Sequence, residues 1–143
     1  MTKNNYRIFE RVRVAVLITF ISGFLDAYTF VTQGKRFAGL QTGNFIYLMK
    51  SLAEGNLTGA SNYLLPISAF MLGAVFTYFA RKFAVQNKHL RWHALAGLII
   101  FIGVLITAAM AQFVASKWTV LSLSFIAAVQ LESFKRMRGV PYT

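Results

Sequence analysis

Long apolar runs separated by short polar or basic connections dominate this chain, and they set the fold before any motif is considered. The stretches 14–32, 63–79 and 95–114 are almost wholly apolar. About 17 to 20 such residues make a helix long enough to cross the hydrocarbon core of a bilayer. A fourth run, 118–131, is shorter, with room to extend to Phe134 and with Ser116 as a cap. Trp92 and Trp118 stand at the mouths of the third and fourth runs, where indole rings anchor at headgroup level. The pattern predicts an all-α fold: a single transmembrane domain over 1–143, a polytopic helical bundle of about four spans.

One segment breaks the pattern. "GLQTGNFIY", residues 39–47, sets Gln41, Thr42, Gly43 and Asn44 inside otherwise apolar sequence. Segment 37–53 reads as a re-entrant or half-membrane helix, with Thr42 as N-cap, Gly55 as stop and a length of roughly 18 Å at 1.5 Å per residue. Loop charge decides against a full crossing, because Lys and Arg favour the cytoplasmic side. Without a crossing, the inside holds Lys3, Arg7, Arg11 and Arg13, then Arg81, Lys82, Lys88 and Arg91, then Lys135, Arg136 and Arg138. Only Lys35, Arg36, Lys50 and Lys117 remain outside. The N-terminus is then cytoplasmic, and the expected location is the inner (plasma) membrane, crossed several times. Irregular backbone at half-membrane depth requires burial in protein or a wet cavity.

Composition agrees with a bilayer environment: 57% of residues are hydrophobic and 13% charged, with a mean hydropathy of +0.55. The net charge of +11 sits in clusters beside the apolar runs, which suits membrane loops and argues against nucleic acid. Run 14–32 is too long for a secretory signal core and lacks a small-x-small cleavage site, so it reads as a retained span. With no cysteine, thiol chemistry and Cys-based metal sites are excluded.

Asp26 is the main chemical candidate. A carboxylate within a span costs about 2.5 kcal/mol or more on insertion scales and is usually paired or functional. It shares a helical stripe with Ser22, Thr29 and Gln33. Ala69, Gly73 and Thr77, and Gly103, Thr107 and Ala111, form small-residue stripes suited to helix packing. Pro66 shapes the start of its span. His89 and His93 are four apart, but Lys88 and Arg91 crowd them and no acid is close, so no metal and no cofactor are expected. Asn56 begins a glycosylation sequon that matters only in a eukaryotic secretory setting. One intramembrane acid without a partner is a poor catalytic set, and no enzyme is expected.

There is also an internal echo. "FISGFLDAYTF" from Phe20 and "FIAAVQLESF" from Phe125 align Asp26 with Glu132, and both acids stand near the end of an apolar run that is followed by basic residues and a glycine. The expected spans would make these units inverted, one over about 14–114 and the start of a second over about 118–143. In its motifs "GFLDAYTF", "FAGLQTGNFIYL", "PISAFMLGAVFTYF" and "LESFKRMRGVPYT" the chain resembles the YoaK-like bacterial membrane proteins, a domain family of unknown function. The resemblance covers nearly the whole chain. It implies a polytopic inner-membrane protein with a second Thr-Gly-Asn segment after the Gly-Val-Pro-Tyr-Thr stretch, before which this sequence stops, as a truncated member would. The family supplies no reaction or substrate.

These features lead to a small-solute or ion transporter or channel, with Asp26, Gln41, Thr42, Gly43 and Asn44 as substrate-binding candidates and Ser22, Thr29, Gln130 and Glu132 as secondary ones. The alternative is a non-transporting membrane scaffold in which the same residues form a structural polar clamp. Membrane lipids, a small molecule or ion, and a second copy of the chain are the expected partners.

Overall fold

The computed structural model of the protein describes residues 12–86, 92–137 and 140–141. Five helices follow one another: α1 Val12–Thr32, α2 Gln41–Ala53, α3 Leu57–Gln86, α4 Trp92–Met110 and α5 Ser116–Phe134. A two-residue antiparallel pair follows, β1 Arg136–Met137 with β2 Val140–Pro141. The helical expectation holds, and α1, α3 and α4 are long and apolar enough to cross a membrane.

Helix ends follow from local chemistry. α1 stops at Gly34, whose positive φ of 73° lets Lys35 N–H return to the Phe30 carbonyl. α2 stops at Gly55 as its sequence predicts: Asn56 N–H donates to Ser51 O and Gly55 N–H to Leu52 O, the paired bonds of a Schellman ending. α3 begins six residues ahead of the expected 63, because the Asn56 side chain accepts the Gly59 N–H at 2.8 Å and caps the new helix. Pro66 therefore lies inside α3 rather than at its start.

α2 folds back along α3, and Tyr47 stacks on Tyr63 with ring centroids 5.3 Å apart. Its 13 residues give about 20 Å of helix, too short to cross a hydrocarbon core of about 30 Å.

The helix that looked weakest from sequence is the hub. α5 packs against α1, α3 and α4, and Val120, Leu123, Ile126, Ala128 and Val129 are buried along it together with Thr119, Ser124, Gln130 and Ser133. Gly73 of α3 lets that helix approach the α5 backbone: a Cβ there would stand 2.6 Å from Phe125 O. The opposite distribution marks the outer helices, where Phe20, Phe24 and Val31 of α1 and Phe101 and Ile106 of α4 are exposed. In a bilayer, lipid solvates those faces as well as a protein core would. Ala84, Trp92 and Ala96 close one end of the bundle against Phe134, while Leu25, Ala38, Leu123 and Ala127 pack nearer the other.

Candidate functional site

The turn between α1 and α2 is held from two sides by the polar residues that interrupt the apolar sequence. From α1, Asp26 Oδ1 accepts the Gly39 N–H at 2.7 Å and the Leu40 N–H at 3.2 Å. From α2, Asn44 Oδ1 accepts the Phe37 N–H at 2.9 Å, and Asn44 Nδ2 donates to Phe37 O at 2.8 Å and to Gln41 Oε1 at 3.0 Å. Gln41 Nε2 in turn donates to Ala38 O at 2.8 Å. The backbone groups that a tight turn would strand are thereby satisfied by side chains, and Asn44 is fully buried.

Two expectations about helix starts are corrected by this arrangement. Thr42 is not the N-cap of α2. Leu40 is, without any side-chain cap bond: the Gln41 and Gly43 N–H groups at the helix start donate to the Gly39 and Leu40 carbonyls, and Asp26 reaches across from α1 to the Gly39 and Leu40 N–H groups just ahead of the helix. Thr42 lies in the first turn, exposed. Ser116 is likewise the first residue of α5 rather than its cap, which is Ala115.

Gly43 earns its place by close approach. A Cβ there would stand 2.7 Å from two ring carbons of Phe37, and that ring is stacked on Phe30 with centroids 4.9 Å apart. Gly43→Ala is expected to cost about 1–3 kcal/mol as the Phe37 ring is forced off its stack. Unfolding in detergent micelles checks this, and a stability equal to that of the unmutated protein would remove Gly43 from the account.

The secondary candidates divide. Ser22 and Gln130 line one cavity of about 140 Å³ between α1 and α5, with Thr19 and Ala127. Gln130 Nε2 donates to Ile18 O at 3.1 Å, tying the C-terminal half of α5 to the N-terminal half of α1. Asp26 is one turn beyond Ser22, and both its accepted bonds fall on Oδ1. Thr29 is buried, and its hydroxyl donates back to Leu25 O and Asp26 O within its own helix. Glu132 lies apart from this set and pairs with Lys135 at 2.7 Å on a half-exposed surface. Such a pair contributes about 0–1 kcal/mol.

Of the expected histidine pair, His89 lies outside the described residues and the His93 ring packs against Phe134 at 5.8 Å. Among the described residues no three His, Cys, Asp or Glu side chains gather where they could hold a metal.

A family described as a protein of unknown function, DUF1275, matches residues 14–143. The chain belongs to this family. The match takes in every helix except the first two residues of α1, and so includes the clamped turn and the cavity. The resemblance to the YoaK-like proteins is to the same family. Neither a curated protein nor a solved structure matches the chain. With three helices apolar enough to cross a bilayer, this DUF1275 chain has the make-up of a membrane protein.

Residue by residue, sequence reasoning found Asp26 and Asn44 but not what they hold. The backbone of Phe37, Gly39 and Leu40 carries no side-chain signal. Arg36 reads from sequence as an outside loop residue, yet it is only 8% exposed.

Proposed function

We propose that this chain is a small-solute or ion transporter or channel of the inner membrane, in which Asp26 presents one carboxylate oxygen to a proton or cation. The observation that carries the reading is the divided use of that carboxylate. Oδ1 is spent on Gly39 and Leu40, while Oδ2 accepts no hydrogen bond from any described residue and lies one turn from the Ser22 and Gln130 cavity. An acid kept inside a span at a cost of about 2.5 kcal/mol or more, and only half used for structure, has capacity left for an ion. Gln41 and Asn44 act here by positioning the turn, and Gly43 by admitting Phe37.

α5, central and 19 residues long, serves in this reading as the fourth span. Arg13, Arg81, Lys82, Lys135 and Arg136 then fall at one end with the N-terminus and Lys35, Arg36, Lys50 and Lys117 at the other, which supports a cytoplasmic N-terminus by the positive-inside rule. The Asp26 and Glu132 echo supports inverted units, with Glu132 in a surface ion pair rather than a mirrored clamp.

The test uses the full chain in liposomes loaded with a pH-sensitive dye under an imposed potassium potential. The intact protein is expected to collapse a pH gradient faster than empty liposomes. Asp26→Asn keeps an oxygen for Gly39 and Leu40, so it is expected to keep its unfolding midpoint while its flux falls to the empty-liposome rate. Flux unchanged by Asp26→Asn removes Asp26 from the pathway. A protein that moves neither protons nor small cations supports the second reading, a membrane scaffold, which the complete pairing of Asn44 within the turn favours.

A further inference from the structure

Beside the free oxygen of Asp26 there is a small open space, and a glycine keeps it open. A Cβ on Gly39 would stand 3.3 Å from Asp26 Oδ2, 3.5 Å from Ser22 Oγ and 3.7 Å from Ala127 Cβ. Gly39 is not among the glycines of positive φ, so glycine here serves the space in front of it rather than the turn. Ser22 and Ala127 also line the cavity of about 140 Å³ between α1 and α5, so this point and the cavity share two walls. Thr19, three residues before Ser22 on the same face of α1, adds a hydroxyl to that lining.

The oxygens here outnumber their donors. Asp26 Oδ2 and Ser22 Oγ take part in no hydrogen bond among the described residues, and Oδ1 alone serves the turn. Gln130 is 5% exposed and lines the cavity; its Nε2 is taken by Ile18 O, while its Oε1 accepts nothing from any described residue. The carboxylate's charge is also unanswered, since the ion pairs among the described residues are Lys50 with Glu54 and Lys135 with Glu132. Carboxylate, hydroxyl and amide oxygens without donors are the ligands that hard metal cations take.

We infer that Asp26 Oδ2, Ser22 Oγ and Gln130 Oε1 hold one alkali cation, with cavity water completing its shell. The inference rests on the transport reading of Asp26 and names its ion. A proton would occupy one oxygen and leave the hydroxyl and the amide unused. One carboxylate balances one positive charge, whereas a divalent ion would leave a net charge within the span, where charge is costly. The cavity has room for the ion and several waters. Gly39 sets the size of the site, because a methyl group there would stand against both Asp26 Oδ2 and Ser22 Oγ.

The experiment takes the full chain in detergent and follows its unfolding midpoint in sodium, potassium or lithium chloride against choline chloride at equal ionic strength. At least one alkali cation is expected to raise the midpoint saturably above choline. Ser22→Ala, which removes an oxygen, and Gly39→Ala, which fills the space, are each expected to weaken its apparent affinity by about tenfold or more. Ser61→Ala, exposed on α3, is expected to leave it unchanged. A midpoint that no alkali cation raises above choline, an affinity equal in all variants, or calcium binding tighter than the alkali cations overturns the site. Should Gly39→Ala fail to fold, Ser22→Ala decides. The two failures are separate: flux lost in Asp26→Asn without alkali stabilisation overturns this site and leaves Asp26 a proton carrier, whereas flux unchanged in Asp26→Asn overturns the transport reading.

Discussion

Gly73→Leu is expected to prevent the bundle from assembling, and Gly73→Ala to destabilise it by about 1–3 kcal/mol. The reason is what stands opposite. A Cβ on Gly73 would lie 2.6 Å from Phe125 O, 3.2 Å from Phe125 Cα and 2.9 Å from Ala128 Cβ, and the backbone of a central helix cannot rotate out of the way. α3 would have to withdraw from α5. Two other glycines calibrate the measurement. At Gly103 the nearest atom is Ile126 Cδ1 at 3.0 Å, the far end of a flexible side chain, so Gly103→Ala is expected to cost under about 1 kcal/mol. At Gly97 nothing lies within 4 Å, and Gly97→Ala is expected to be neutral or stabilising by up to about 1 kcal/mol through helix propensity. Unfolding of the three alanine variants in detergent micelles should rank them in that order. A Gly73→Ala protein as stable as Gly97→Ala would mean that the α3 and α5 backbones do not meet there.

The stripe Ala69, Gly73 and Thr77 was visible in the sequence as a packing face, since close approach of helices in lipid needs small residues at four-residue spacing. Its partner was not visible. The run that becomes α5 reads as the shortest of the four, and Thr119, Ser122, Ser124 and Gln130 interrupt it. In a bilayer that polarity is the signature of the central position: lipid solvates Leu and Phe without penalty, so the most apolar helices go outward and the one rich in hydroxyls goes inside. A reading that ranks helices by hydropathy finds α1, α3 and α4 and undervalues the hub. Gly55 as the stop of α2 was legible because a Schellman ending is local. Thr42 as cap failed because the helix starts one residue ahead of it, at Gln41, and the Gln41 and Gly43 N–H groups there are met by the Gly39 and Leu40 carbonyls rather than by a side chain. The turn ahead of it is held from outside any local window, since Asp26 on α1, sixteen residues before Thr42, accepts the Gly39 and Leu40 N–H groups.

Asn44 should be the least replaceable polar residue in the turn. Its amide pairs with both the N–H and the C=O of Phe37, at 2.9 and 2.8 Å, in a position with no solvent exposure. Asn44→Ala would strand both backbone groups where water does not reach them. At about 1–3 kcal/mol for each unsatisfied group, the expected loss for the two is about 2–6 kcal/mol. Asn44→Asp separates shape from chemistry. It keeps an acceptor for the Phe37 N–H but turns a second oxygen toward Phe37 O and Gln41 Oε1, where the amide had donated, so it is expected to be at least as damaging as alanine. Asp26→Asn differs, because both N–H groups that Asp26 serves need only an acceptor. Unfolding midpoints of the three variants in detergent should therefore place Asp26→Asn near the unmutated protein, with both Asn44 variants far below it. If Asn44→Asp unfolds with Asp26→Asn, the Phe37 carbonyl does not depend on Asn44. The turn would then be held by Asp26 from α1 and, from α2, by the bonds to the Phe37 N–H and the Ala38 carbonyl, without the one to the Phe37 carbonyl.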